Sequence, residues 1–182
     1  MGSLNRVSSG EPPAELLGPM RLADADPCEL GDFDCGEPSI DEWLRRRTRA
    51  SDGDTARTHL VLDRDRRVVA YCALSAAAIP HAEATAKLRR NRPDPIPAIL
   101  IGRLGVTRAW QGHGLATDLI GYAMRQIAAV AKSVGVAYVI VQPLDSRLRG
   151  FYERLGFGAF SPGDLPPMLV PAAQVRQRFG PP

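Results

Sequence analysis

Apolar and polar positions alternate along this chain in two rhythms, and the switches between them divide it into elements. Met20–Ala23 reads as a short first strand. Within Cys28–Ser51, Pro38 and Ser39 sit where a helix would begin, and Ile40, Trp43, Leu44 and Arg47 then recur at three and four. That spacing predicts an amphipathic helix with one apolar face and an arginine-rich one, ended by Gly53. His59–Leu62 and Val68–Ser75 are apolar and β-branched, split by Asp63-Arg64-Asp65-Arg66-Arg67, and read as a hairpin. Ala82–Pro97 holds three prolines and an arginine cluster, which fits a loop with room for one helical turn. Ala98–Val106 resumes as a strand, and Gly102 and Gly105 inside it point to a bulge or a close backbone approach. Apolar residues at Leu115, Leu119, Ile120, Ala123, Ile127, Ala131 and Val134 keep a helical period through Leu115–Val134. Ala137–Leu144 follows as a buried strand and Ser146–Leu155 as a short helix. Gly156–Phe160 and Met168–Arg178 supply one or two closing strands. The sum is an α/β (α+β) domain with a largely antiparallel sheet and no internal repeat.

At 182 residues the chain has material for one well-packed domain, taken as residues 20–182. The first 19 residues are rich in Gly, Ser, Pro and Glu, which predicts a flexible tail. They lack the basic-then-apolar layout of a secretory signal. No apolar run approaches the roughly 18 residues that span a bilayer, so no membrane partner is expected. Three cysteines, Cys28, Cys35 and Cys72, make no convincing disulfide framework, and no Cys/His set has metal-site spacing. A cytoplasmic protein with reduced thiols and no metal is the expectation.

Net charge is only +3, but nearly all the cations are arginine, with lysine only at Lys87 and Lys132. Arginines cluster at 45–49, 64–67, 89–92 and 147–149. The planar guanidinium suits bidentate phosphate contacts, so four clusters in one small domain raise the prospect of a polyanionic partner. For any single cluster, an arginine-rich composition with solvated helix faces is the better reading.

One stretch carries a sharper signal. Gln111-Gly112-His113-Gly114-Leu115-Ala116 lies between the Ala98–Val106 strand and the long helix. This places unpaired backbone N–H groups at the positive end of a helix, where phosphate binds. Glycine has no Cβ to hold oxygen atoms off, and no Ser, Thr, Asp or Asn stands before Leu115 to cap the donors. The pattern is neither the three-glycine dinucleotide fingerprint nor a Walker loop. On these residues alone, a phosphate cradle and a simple strand-to-helix turn both stand.

The hexapeptide resembles the Gln/Arg-x-x-Gly-x-Gly/Ala signature of GNAT-family acyltransferases. Arg103-Leu104-Gly105-Val106 is similar to that family's splayed, bulged strand, and Phe151-Tyr152-Glu153-Arg154-Leu155-Gly156-Phe157 to its C-terminal segment. The resemblance covers most of residues 20–178. It implies a GNAT fold, a central mostly antiparallel mixed sheet with a splayed strand, flanked by helices. It also implies acetyl-CoA as cosubstrate, with the pyrophosphate held by backbone N–H groups from Gly112 to Ala116, and with Gln111 and His113 beside it. Leu104 and Val106 would pair with the pantetheine arm as an added strand would. His113 is expected at the mouth of this site rather than as a base.

Acyl transfer needs a neutral amine, donors for the oxyanion and a proton for the leaving thiolate. By the same resemblance Tyr152 is the tyrosine that protonates the sulfur; packing as a core aromatic is its other reading. The oxyanion donor would be the N–H of Val106. Many relatives carry a glutamate on the splayed strand, whereas Ile99–Val106 here has no carboxylate. A lysine amine with pKa about 10.4 needs a base, while an α-amine near about 7.7 needs little. The missing carboxylate therefore favours an α-amine acceptor, with water relaying the proton.

Phe33-Asp34-Cys35-Gly36-Glu37-Pro38-Ser39-Ile40-Asp41-Glu42-Trp43-Leu44, with Thr55–Thr58 and Ala70–Ser75, resembles the GNAT toxins of type II toxin–antitoxin modules. That resemblance implies acetylation of the α-amine of aminoacyl-tRNA, inhibition of translation, a ribbon-helix-helix antitoxin as partner and a homodimer. Arg45, Arg46, Arg49, Arg89, Arg90 and Arg92 become candidates for tRNA phosphates, and Arg103 for the acceptor end. Other readings are a GNAT acting on a small amine or a protein N-terminus, and a catalytically silent module that binds a protein or operator DNA. The glycine turn together with Tyr152 favours the enzyme.

Overall fold

The computed structural model describes residues 15–25 and 27–180. The expected tail therefore lies largely outside the described residues. Seven strands form one sheet in the order β1-β2-β3-β4-β5-β7-β6. They are β1 (Leu17–Arg21), β2 (Arg57–Leu62), β3 (Val68–Ile79), β4 (Ile96–Val106), β5 (Tyr138–Val141), β6 (Gly158–Ala159) and β7 (Met168–Pro171). Every neighbouring pair is antiparallel except β4 and β5. Those two run parallel, so the chain must cross over between them, and α4 (Leu115–Val130) makes the crossing.

The hairpin forms as its turn residues dictate. The Asp63 carboxylate accepts the Arg67 N–H at 2.9 Å and pins the bend between β2 and β3. Alternation along β2 then sorts side chains to two cores. Leu60 and Leu62 face Phe33, Ile40 and Leu44 of the N-terminal layer, beside Tyr71 of β3, while Val61 faces α4. The N-terminal layer is a helical run built from α1 (Pro38–Glu42), a π-type turn Trp43–Arg47 and α2 (Thr48–Ser51). The extra residue of the π-turn breaks the expected spacing, so Thr48 is buried in place of Arg47. On the opposite face, α4 packs through Leu119, Ala123 and Ile127.

The bulge falls at Gly102. Ala73 pairs with Arg103 but Leu74 pairs with Ile101, so β4 spends one extra residue there. Gly105 is a close approach: a Cβ on it would lie 2.9 Å from both Ile40 Cγ2 and Phe33 Cζ. The N-terminal layer rests directly on the backbone of β4. Gly105→Ala is accordingly expected to destabilise the fold by about 1–3 kcal/mol, since buried Ile40 and Phe33 have nowhere to retreat. A denaturation midpoint equal to wild type would refute that packing.

Several boundaries depart from the sequence pattern, among them that β3 runs to Ile79 and β4 begins at Ile96. Strand β1 opens at Leu17, opposite Leu62, so the sheet starts inside the segment expected to be tail. Helix α4 ends at Val130 and leaves Val134 58 % exposed, because the chain must turn at Gly135 to enter β5. Met168–Arg178 is not one strand. It is β7 followed by α6 (Ala172–Phe179), whose buried Ala172 and Val175 sit three apart behind Pro171. α3 (Ala86–Arg89) is the single helical turn in the long loop, and α5 (Ser146–Arg154) follows β5.

Candidate active site

The site begins where β4 loses its partner. Strand β5 pairs with β4 only along Ala98–Ile101, while β4 continues to Val106 against β3 alone. Thr107 N–H donates to Val69 C=O at 2.8 Å, which marks that position as hydrogen-bonded. Strict alternation then turns the N–H and C=O of Val106 and Leu104 away from β3, toward the gap. Val106 C=O accepts the Gln111 amide at 2.9 Å from that side. The wedge between β4 and β5 thus exposes an unpaired strand edge inside the molecule.

The glycine turn closes one end of this wedge. Gly112 and Gly114 hold φ of 81° and 84°, and Gly114 caps α4 without a side-chain bond. Thr117 and Asp118 N–H return to Gly114 C=O, at 2.9 and 3.1 Å. Among the described residues no partner takes the N–H groups of Gly112 to Ala116. A Cβ at either glycine would meet no protein atom within 4 Å. The glycines therefore serve the backbone conformation and face open space, as a cradle does and a packed turn does not.

A latch ties the turn to the N-terminal layer. Gln111 Nε2 donates to Cys35 C=O at 2.8 Å as well as to Val106. Arg108 donates through Nε to the Asp34 carboxylate at 3.0 Å and through its backbone to Asp34 C=O at 2.9 Å. The Gly36 N–H, and after it Arg108, holds the Asp34 carboxyl below its ordinary range. Cys35 N–H donates to buried Asp41 at 2.9 Å, and burial, helped by Asp41, pushes the Cys35 thiol up to about 12. In the sequence this segment stands out only as a family fingerprint. Asp34, four residues before Pro38, is its one legible sign of a structural duty.

Wedge and turn join in one cavity of about 380 Å³. Leu104, Gly105 and Val106 line it from β4, Gly112 and Gly114–Thr117 from the turn, and Leu148 and Phe151 from α5. Arg147, noted in the sequence only as part of the 147–149 cluster, and Arg154 also reach it, and neither was a named site candidate. His113 does not line it; its exposed ring donates from Nδ1 to Gln111 C=O at 3.0 Å. No three His, Cys, Asp or Glu side chains converge on a metal position among the described residues, and no helix there is long and apolar enough to cross a membrane.

Tyr152 stands one residue behind the cavity wall. It is 5 % exposed and packs against Phe151 and Phe157 with ring centroids 5.3 and 5.7 Å away. Burial, with Cys72 behind it, pushes the phenol up to about 12. No protein group bonds the hydroxyl among the described residues, and no fully buried side-chain polar atom there lacks a partner. The accessible remnant of Tyr152 therefore includes its hydroxyl.

The arginines expected at tRNA do not line the cavity. Arg45 donates to Phe33 C=O at 3.2 Å, Arg46 pairs with Glu42 at 3.0 Å, and Arg49 reaches Cys28 C=O at 3.4 Å. Arg89 and Arg90 are exposed at α3, and Arg92 lies over the Tyr138 ring. Arg103, on the splayed part of β4, lies over Trp43, which stacks on Tyr71.

The model of the acetyltransferase (GNAT) domain matches residues 55–158, from β2 through the start of β6. The chain belongs to the GNAT family. A tRNA-acetylating toxin of Mycobacterium tuberculosis is 39 % identical over 162 residues, covering 89 % of this chain and 96 % of that one. Among solved GNAT structures, AtaT complexed with acetyl-methionyl-tRNAfMet superposes with a TM-score of 0.78 at 24 % identity, over 91 % of this chain and 98 % of AtaT. A Tyr-to-Phe AtaT variant, bound to the C-terminus of the antitoxin AtaR and to acetyl-CoA, gives 0.75 at 23 %, over 91 % and 97 %. The GNAT architecture thus extends on both sides of the matched segment, into the N-terminal layer and α6.

Proposed function

We propose that this GNAT protein is the toxin of a type II toxin–antitoxin module that transfers acetyl from acetyl-CoA to the α-amine of aminoacyl-tRNA. The observation that carries the donor side is the single cavity in which a free strand edge runs into a helix start with open N–H groups. An amide-bearing arm ending in a diphosphate fits both halves. The acceptor side draws support from the near full-length relative that acetylates tRNA, and from AtaT, a protein of like fold solved with acetyl-methionyl-tRNAfMet. Mass spectrometry of total charged tRNA after incubation with protein and acetyl-CoA tests the reading. Absence of N-acetylated aminoacyl-tRNA would defeat it.

In this reading acetyl-CoA is a substrate. The N–H groups of Gly112 to Ala116 hold its pyrophosphate, Gln111 braces the turn, and His113 stands at the rim. Leu104 and Val106 pair with the pantetheine amides. The amine attacks the thioester carbonyl, and the oxyanion accepts the Val106 N–H, with Leu104 offering a second donor on the same edge. As the C–S bond breaks, Tyr152 donates its proton to the departing sulfur, and water carries the ammonium proton away to restore the phenol. A phenol held near 12 stays protonated at every physiological pH. Its full transfer to a thiolate, whose acid has pKa about 8.5, is uphill, so the proton is shared while the bond breaks rather than handed over beforehand.

Exposed arginines supply the tRNA phosphate contacts. Arg45, Arg46 and Arg49 already have protein partners; Arg89, Arg90 and Arg92, having no ion pair among the described residues, are the freer group. Arg103 reaches the acceptor end beside Trp43. Reversing Arg89 and Arg90 to glutamate should raise the KM for tRNA and flatten its log–log salt dependence by about 2, with the KM for acetyl-CoA unchanged. Equal tRNA use would place the RNA elsewhere. The protein acts in the cytoplasm as a homodimer, and a ribbon-helix-helix antitoxin neutralises it. AtaT bound to the C-terminus of AtaR supports an antitoxin partner for this fold.

A further inference from the structure

The glycine turn has donors for a diphosphate, yet coenzyme A carries a third phosphate on its ribose 3′-oxygen. We propose that Arg147 and Arg154 bind that 3′-phosphate and so make the protein select CoA over its 3′-dephospho form. This inference rests on the donor-site reading above.

Both arginines line the cavity from α5, across from the glycine turn. Residues 147, 151 and 154 fall on one helix face, and Phe151 between them lines the cavity too. The Arg154 side chain folds back along the helix: Nη1 would lie 3.7 Å from a Cβ placed on Gly150. Its head is thereby drawn about one turn, roughly 5 Å, back along the helix toward Arg147, which lines the same cavity. Neither guanidinium has an ion-pair partner among the described residues. Arg149 behaves otherwise, spending its charge on Glu153 at 3.0 Å and on Asp164 C=O at 3.2 Å.

The two helix starts in the cavity wall differ in the same sense. α4 is uncapped, whereas the Asp145 carboxylate caps α5 by accepting the Leu148 N–H at 2.7 Å. The backbone of α5 is closed to an anion, so its side chains must supply the positive charge. A phosphomonoester carries about −1.5 to −2 at neutral pH and suits two planar forks.

Calorimetry with CoA and 3′-dephospho-CoA, on the full chain and its variants, decides the matter. Wild type should bind CoA roughly 10- to 100-fold more tightly than dephospho-CoA, as charge-assisted hydrogen bonds allow. Arg147→Ala with Arg154→Ala should abolish that preference and leave dephospho-CoA affinity within about twofold, which also shows that the variant is folded. Arg149→Ala should keep it. Equal affinities in wild type, a preference that survives the double variant, or equal weakening of both ligands would overturn the assignment; the last would give the arginines to the diphosphate. If wild type binds neither compound, the donor-site reading falls first.

Discussion

Tyr152→Phe should lower the turnover number for acetyl transfer by about 10²- to 10⁴-fold while acetyl-CoA affinity stays within about threefold. The asymmetry follows from where the residue sits. Its ring belongs to the core with Phe151 and Phe157, and phenylalanine refills that volume. Only the hydroxyl, which has no partner among the described residues, is lost. Because burial holds the phenol near 12, the wild-type contribution should persist as pH rises through 10, with no fall in rate assignable to tyrosine ionisation. Stability behaves differently. The folded-state pKa lies above the unfolded value of about 10, so the neutral phenol favours the fold fully below that pH and progressively less toward 12. The variant should therefore resist alkaline unfolding better than wild type. Unchanged turnover would remove Tyr152 as the proton donor.

The second large effect is expected at Gly114. Gly114→Val forces a β-branched residue into φ of 84°, which costs about 1–2 kcal/mol in backbone strain, and sets two methyl groups before the open N–H cluster. Acetyl-CoA affinity should fall roughly 10- to 100-fold, since charge-assisted bonds at the helix start can no longer close. Gly114→Ala carries the strain with less obstruction and should fall between. Calorimetry on the two variants separates the effects, and full affinity in the valine variant would reduce the turn to a plain connector.

How much of this was legible in the sequence depended on whether a feature is local. The hairpin, the glycine turn and most of α4 follow from period and turn chemistry, and the structure returns them nearly as read. The Gly102 bulge and the Gly105 contact were expected from two glycines inside one strand. Where α4 stops was not legible, because Val134 continues the helical period and only the route into β5 overrides it. Pro171 before two alanines signalled α6, but the apolar run from Met168 masked it. In the site, the glycines announced themselves, whereas Arg154 lay unread inside the very motif that named Tyr152. Spacing puts it on the face of Arg147 and Phe151, but that this face lines the cavity is a tertiary fact. Gln111 was placed beside the cofactor, but its grip on Cys35, 76 residues away, is a tertiary fact.

That grip has a thermodynamic consequence. Gln111, Arg108 and Thr107 all hold the Asp34–Cys35 segment, which leads through α1 into the π-type turn that carries Trp43 and Arg45–Arg47. If the acceptor end lands at Arg103 beside Trp43 as proposed, whatever firms the glycine loop should, through these bonds, firm that part of its landing surface. Occupancy of one is then worth free energy to the other, and by reciprocity the nucleic acid should slow the departure of the thioester as much as the thioester favours its arrival. In the proposed reaction, the two reactants would then meet on a protein whose two binding surfaces are thermodynamically linked.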